Sequence, residues 1–468
     1  MRPESVKEVN ATRHIALKTS AYATFSLAVV LAFVFAGGTE FSLWLAACAA
    51  VASVLVVRRS SRGQVTPRLI VFFFLIAAGH ALFGYWAAGN STDVIPIGSN
   101  AEETFRRAVF VIAATLLVAA FIYDVAPRFP SNWAQALGQH VRVSEEKLIL
   151  AARGLVLMGI FCVAYLVVTV GFMPILAGSP GQERYIFTEL GQEYHLYDWV
   201  RLRGNELLGC SVPLVLFSGV VYRRKLDLLI GAMGVLAILV TLQRGTLISV
   251  FVVLMLIISF SKGKFPRRYL GYLAVLVAAY YGSQLVYLNA LGDGTDSGFA
   301  GTAVLSGLPE VRDLGWVMSV TGEKRFYGAT FAVPMVFAPG IATDFKQRYG
   351  LGYVTARLMG LQEGLRITLP GEGYLNFGAV GFLVVGAVFG ILCALVSDLS
   401  GTFLKNRDLP SSYVIATLLV WLCFWLYMGG TANAGTVQYE LMFVFAMFFL
   451  ARVRRGQPSG AAVESYVS

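Results

Sequence analysis

Apolar stretches of membrane length recur along this chain, and they decide what it can fold into. They fall at about 20–38, 41–57, 69–88, 107–123, 148–170, 206–222, 226–242, 245–260, 269–288, 376–396, 412–430 and 437–451. Crossing the hydrocarbon takes about 20 mostly apolar residues, and an open backbone cannot survive there without internal hydrogen bonds. Apolar residues make up 57% of the 468 positions, and the mean hydropathy is +0.68. The pattern predicts an all-α, polytopic transmembrane bundle of about twelve helices, with the short runs 226–242 and 245–260 as a hairpin. An ordinary soluble domain is excluded.

Charge sets the expected orientation. Residues 1–19 form a basic, cytoplasmic N-terminal segment (Arg2, Lys7, Arg13, Lys18) ahead of an uncleaved first helix. Counting lysine and arginine on alternate connections then places both termini in the cytoplasm. Inner segments hold Arg58, Arg59, Arg62, Arg223, Arg224, Lys225, Lys262, Lys264, Arg267 and Arg268, among others. The net charge of +10 thus follows membrane topology and implies no nucleic-acid partner. Residues 20–455 read as one membrane domain, and 456–468 as a flexible cytoplasmic tail. All five cysteines sit in apolar runs as packing residues. Four histidines without paired ligand spacing suggest neither a metal site nor a cofactor.

Two connections on the outer face are long, about 171–205 and 289–372, and long connections are where function collects. The second opens with a flexible Gly292–Gly298 stretch, whose Asp293 and Asp296 lack a calcium-loop pattern. It then shows helix-like pieces near 309–320 and 344–361. No pair of matching hydropathy halves of the transporter kind appears.

The candidate chemistry sits at the ends of these connections. Pro370-Gly-Glu-Gly-Tyr-Leu-Asn-Phe-Gly378 places Glu372, Tyr374 and Asn376 at the mouth of the apolar run that continues to Val396. Two readings stand: a glycine-rich turn whose glutamate caps a helix, or a polar site. Arg244, in the turn Gln243-Arg244-Gly245 at a helix start, reads as an anion site or as a snorkelling arginine. Arg184, Arg325, Lys346 and Arg366 are solvated charges taken singly, but together would draw a polyanionic headgroup. His195, among Tyr194, Tyr197 and Trp199, belongs to an interfacial aromatic belt or stacks on sugars. Arg153 near its helix start snorkels, and His80 is an interior histidine.

Four pieces in this order resemble the bacterial O-antigen polymerase-like family, the Wzy-type oligosaccharide repeat unit polymerases. They are Gly171–Leu176 with Arg184, Gln243-Arg244-Gly245, Phe326-Tyr327-Gly328 running on to Lys346, and Leu369–Gly378. The likeness spans about residues 160–400. This chain departs from the pattern at Pro339-Gly340, where such proteins tend to carry Pro-Arg.

The resemblance implies a C-type glycosyltransferase-like bundle in the bacterial cytoplasmic membrane, with short helices in a large outer loop. Its substrate would be an undecaprenyl-pyrophosphate-linked oligosaccharide, its product a longer glycan on the next lipid-linked unit. The bilayer, a flippase and a chain-length regulator are the implied partners. Glu372 is then the expected general base, with His195 second. Arg244 and Arg366, followed by Arg184, Arg325 and Lys346, would stabilise the departing pyrophosphate. Tyr374 and Asn376 would bind sugar hydroxyls or hold Glu372. An O-antigen ligase-type transferase and a non-enzymatic flippase are the alternatives.

A bidentate contact from Arg244 needs the planar guanidinium fork, which lysine lacks. Arg244→Lys is therefore expected to cut polymer formation nearly as far as Arg244→Ala, at least tenfold, on a gel ladder of the glycan from cells with matched protein levels.

Overall fold

The computed structural model describes residues 41–60, 66–89, 101–130, 132–133, 143–170, 195–241, 244–263, 310–321, 325–333, 345, 347–359, 365, 367–405 and 407–452. Among these the chain is helical throughout, with no strand. Among the described residues, six helices are long and apolar enough to cross a membrane: Glu102–Val125, Glu145–Tyr165, Gly204–Val221, Gly245–Lys262, Gly381–Phe403 and Leu409–Gly429. Ile70–Trp86 and Val437–Leu450 are apolar but shorter. The expected helices at 20–38 and 269–288 lie outside the described residues, as does the Gly292–Gly298 stretch. The described residues fall into two compact units.

The first unit comprises Met1–Pro130, Gly271–Thr402 and Leu418–Val437. Its opening helices are α1 (Phe41–Arg59), α2 (Thr66–Gly89) and α3 (Ala101–Val125). α3 is the central element, touching α1, α2 and three later helices. From Ala108 to Leu117 its residues are buried almost without a break, so it is apolar on every side. Small residues let a partner come close. On helix Gly381–Phe403, Gly386 and Gly390 lie one turn apart, and both face α3. A Cβ on Gly390 would stand 2.5 Å from the Ala119 carbonyl oxygen, and one on Gly386 would stand 2.8 Å from that of Thr115. This is a small-xxx-small contact, in which backbones meet because no side chain intervenes. Tyr123 and Ser397 pair their hydroxyls at 3.2 Å further along the same interface.

The connection expected as an outer loop over 289–372 is largely built structure where it is described. Helix Glu310–Thr321 buries Val311, Leu314, Trp316 and Val317 against α2 and α3. Its amphipathic spacing asks for a core face, and the apolar helices supply one. Helices Leu351–Met359 and Leu369–Phe377 follow. At the far end of the chain, helix Leu409–Val420 passes into a six-residue π-helical stretch, Trp421–Leu426. Tyr427–Gly429 and a 3-10 turn, Gly430–Asn433, come next.

The second unit comprises Ser131–Leu270, Phe403–Thr417 and Gln438–Ser468. Its core is a packed triplet of helices Glu145–Val170, His195–Val221 and Lys225–Val240. Helix His195–Val221 begins ten residues before the expected loop end at 205, so the aromatic stretch around Tyr197 and Trp199 is helical. Gly159, Gly204, Gly231 and Gly234 again sit where side chains of the facing helices would collide with a Cβ. Arg153 does not snorkel, contrary to the sequence reading. It forms a two-pronged ion pair with the fully buried Asp227, at 2.6 and 2.9 Å, and Ser218 donates to the same carboxylate at 2.5 Å. An acid buried beside apolar helices is tolerable only when its charge is met in this way.

Close backbone approach at Gly390 makes a matched test possible, because Gly401 on the same helix has nothing within 4 Å of its Cβ position. Gly390→Ala is expected to cost about 1–3 kcal/mol and to lower the thermal midpoint in detergent, whereas Gly401→Ala leaves it unchanged or slightly raised.

Candidate functional site

Helix Leu369–Phe377, the Pro-Gly-Glu-Gly-Tyr-Leu-Asn-Phe motif, is the frame of the site. Proline at its second position suits the first turn, where no backbone donor is needed. Its glycines are explained by space. A Cβ on Gly371 would press on Leu314 at 3.0 Å, and one on Gly373 on Val385 at 2.7 Å. At Gly378 the backbone turns to φ +64° and ψ −143°, which ends the helix before Gly381–Phe403 begins. The apolar helix therefore starts after a break, and the polar residues belong to a separate short helix.

Glu372 does not cap that helix. It is fully buried, and its carboxylate reaches across to two other segments. Thr330 Oγ1 donates to Oε1 at 2.5 Å, and the Thr431 backbone N–H donates to Oε2 at 2.7 Å. The Thr431 hydroxyl also donates to Oε1. The Gly430 backbone passes so close that a Cβ there would stand 2.5 Å from Oε2, and its φ of +54° also favours glycine. Asn376, one turn along, is buried as well. Its Nδ2 donates to Thr330 Oγ1 at 2.6 Å and to the Glu372 backbone oxygen at 2.9 Å. Its Oδ1 accepts from Gly328 N at 2.9 Å.

Segments near 327–330, 372–376 and 430–431 are thus tied to one carboxylate, and each polar group in the knot has a partner. Burial is the largest influence on Glu372 and pushes its carboxyl above the usual glutamate range. The hydrogen bonds from Thr330 and Thr431 pull it partly back.

Beside the knot, the Arg325 guanidinium lies 5.3 Å from the centre of the Tyr374 ring. It also seats against Gly378, where a Cβ would stand 2.8 Å from its Nε. Both Arg325 and Tyr374 are half-buried. The site thus pairs a satisfied, buried anion with a partly accessible cation and phenol.

The structure brings together four of the nine residues singled out from sequence: Arg325, Glu372, Tyr374 and Asn376, all in the first unit. His195 and Arg244 are the first residues of helices His195–Val221 and Arg244–Lys262 in the second unit. Their side chains lie outside the described part, and Arg184, Lys346 and Arg366 fall outside the described residues altogether. Sequence reasoning missed Thr330, Gly430 and Thr431. The last two had a visible signal, a Gly429-Gly-Thr-Ala-Asn433 run of small polar residues interrupting an apolar stretch. Thr330 had none. His80, read as an interior histidine, places Nε2 3.3 Å from Glu310 Oε2. No family model matches this chain, and neither a curated protein nor a solved structure matches it.

A carboxyl raised by burial favours the folded state most where it stays protonated. Its contribution is complete below the ordinary glutamate pKa and declines as pH rises through the higher, folded value. The midpoint of the native protein is therefore expected to fall relative to Glu372→Gln as pH climbs through that window. Thermal unfolding of the two proteins in detergent, at half-unit steps of pH between about 4 and 8, reads the difference.

Proposed function

We propose that this chain polymerises undecaprenyl-pyrophosphate-linked oligosaccharide repeat units, moving the growing glycan onto the next lipid-linked unit at the outer face of the bacterial cytoplasmic membrane. The observation that carries the reading is that Glu372, Tyr374 and Asn376 of the fourth family-like piece meet Arg325, which directly precedes the third, at and beside one polar knot among apolar helices. Polar groups inside such a bundle are costly, and a cluster of them is a candidate site by default.

In the reaction, an acceptor hydroxyl oxygen bonds to the donor's anomeric carbon as the bond from that carbon to the phosphate oxygen breaks. The electron pair leaves with the lipid pyrophosphate, and the hydroxyl proton passes to a base. No nucleotide sugar is needed, since the pyrophosphoryl lipid is the leaving group. Cations stabilise the charge that grows on it. Arg325 fills that role in the first unit, and Arg366 and Lys346 of the same unit are proposed to assist. A carboxyl held above its usual range suits Glu372 to general-base work near neutral pH. Its oxygens are closed off by Thr330 and Thr431, so this role requires the Thr431 side of the knot to yield to the acceptor. If the knot stays shut, Glu372 is a positioning residue for Tyr374 and Arg325, and a separate group takes the proton. The ligase-type alternative shares the donor and the chemistry.

One observation favours the flippase alternative. Glu206 and Glu440 are buried within apolar helices of the second unit, where a transporter would keep ionisable groups.

Reconstitution separates these readings. Purified protein given a lipid-linked repeat unit, without nucleotide sugar and with chelator present, is expected to yield a ladder of products. Transfer of one finished chain without a ladder would mark a ligase, and movement of the lipid across the vesicle without new bonds a flippase. Glu372→Gln is expected to lower the rate at least 100-fold. Thr431→Val separates the two roles of Glu372: a faster base with a higher apparent pKa if the knot must open, and a loss comparable to Glu372→Gln if Glu372 only positions its neighbours.

A further inference from the structure

Tyr327 is an unusual residue to find where it stands. Its φ is +48°, a left-handed conformation that bulky side chains rarely adopt. The residue is 83% exposed, the most open of the large hydrophobic residues among those described. The turn is held in place by Asn376, whose backbone oxygen accepts from Tyr327 N at 3.0 Å and whose Oδ1 accepts from Gly328 N at 2.9 Å. Asn376 is itself fixed by Thr330 and the Glu372 backbone. The polar knot that encloses Glu372 therefore also clamps this turn.

Glycine or asparagine would adopt the same backbone conformation with less strain. The turn does not need tyrosine, so what the position supplies is the ring. Strain of this kind persists where the surroundings over-determine it, and it gathers at ligand sites. Two residues before it, Arg325 presents a guanidinium over Tyr374. An exposed aromatic residue two positions along from a seated cation, both held by the 376–378 backbone, matches a ligand with a flat C–H face linked to an anion. A sugar ring on a phosphate has that chemistry.

We propose that Tyr327 is a sugar-stacking residue, presented to the outside by Asn376 in the turn that follows Arg325. The proposal rests on the glycan-transfer reading above and names a subsite within it.

Three substitutions and one labelling experiment test it. Tyr327→Asn relieves the backbone strain, and is expected to raise the thermal midpoint by roughly 1–2 °C. In the reconstituted assay the same change is expected to raise KM for the lipid-linked repeat unit about tenfold with little change in kcat, since stacking on one aromatic side chain is lost. Tyr327→Phe, which keeps the ring, is expected to restore the native KM. A lowered midpoint, or an unmoved KM, for Tyr327→Asn overturns the proposal.

Tyr327→Cys, in a background with the five native cysteines replaced, is then exposed to a water-soluble maleimide. Labelling that is blocked by the lipid-linked repeat unit, and not by undecaprenyl pyrophosphate without sugar, supports it. Equal protection by the sugar-free carrier overturns it. So does labelling only by a lipid-soluble reagent, which would make Tyr327 a bilayer anchor. If the native protein makes polymer but the repeat unit gives no protection, the subsite alone fails. If the native protein makes no polymer and binds no repeat unit, the glycan reading fails with it.

Discussion

A carboxylate with no access to solvent must be met by donors or lose its charge, and the first unit is organised around one such group. Burying an unmet charge in an apolar interior costs far more than any single contact returns. Glu372 meets the requirement with hydrogen bonds from Thr330 and Thr431, segments some 42 and 59 positions away in the chain. These bonds fix where the short helix Leu369–Phe377 can sit, and hence where Tyr374 and Asn376 stand. Because Asn376 in turn holds the Tyr327–Gly328 turn, the geometry of the outward-facing side chains follows from the satisfaction of an inward-facing one.

The second unit solves the same problem with charge. Arg153 and Asp227 come from different helices, and Ser218 adds a third contact to the acid. Such a pair is weak as a source of stability when compared with a well-packed apolar replacement. It is strong as a determinant of register, since shifting either helix by one residue would strand both charges. Glycines do the complementary work of bringing the helices close enough for these contacts to form.

Much of the architecture was legible in the sequence, because hydrocarbon imposes a length and a composition on whatever crosses it. The runs at 107–123, 148–170 and 206–222 are helices nearly where hydropathy puts them. Helices Glu310–Thr321 and Leu351–Met359 stand where helix-like pieces were expected near 309–320 and 344–361, although both were placed in an outer connection. Their modest apolarity concealed the fact that Leu314 and Trp316 face a core made by other helices. In the site, Glu372 and Asn376 were readable because polar residues beside an apolar run are conspicuous. Their partner Thr330 was not, since a single threonine among alanine and phenylalanine carries no local mark. Arg153 was misjudged for a related reason: its partner Asp227 lies 74 positions away, and pairing at that distance is invisible to spacing.

The π-helical stretch Trp421–Leu426 has a consequence of its own. A π turn amounts to one extra residue accommodated within an α-helix, so everything beyond it is rotated by about 100° relative to a regular continuation. Thr431 lies just past that point. Deleting one amino acid between 421 and 426 would leave the hydropathy of the span almost untouched, yet it would swing the turn that carries the threonine away from the acid. The length of this segment, counted to the single residue, is thus as much a part of the acid's enclosure as the hydroxyl itself.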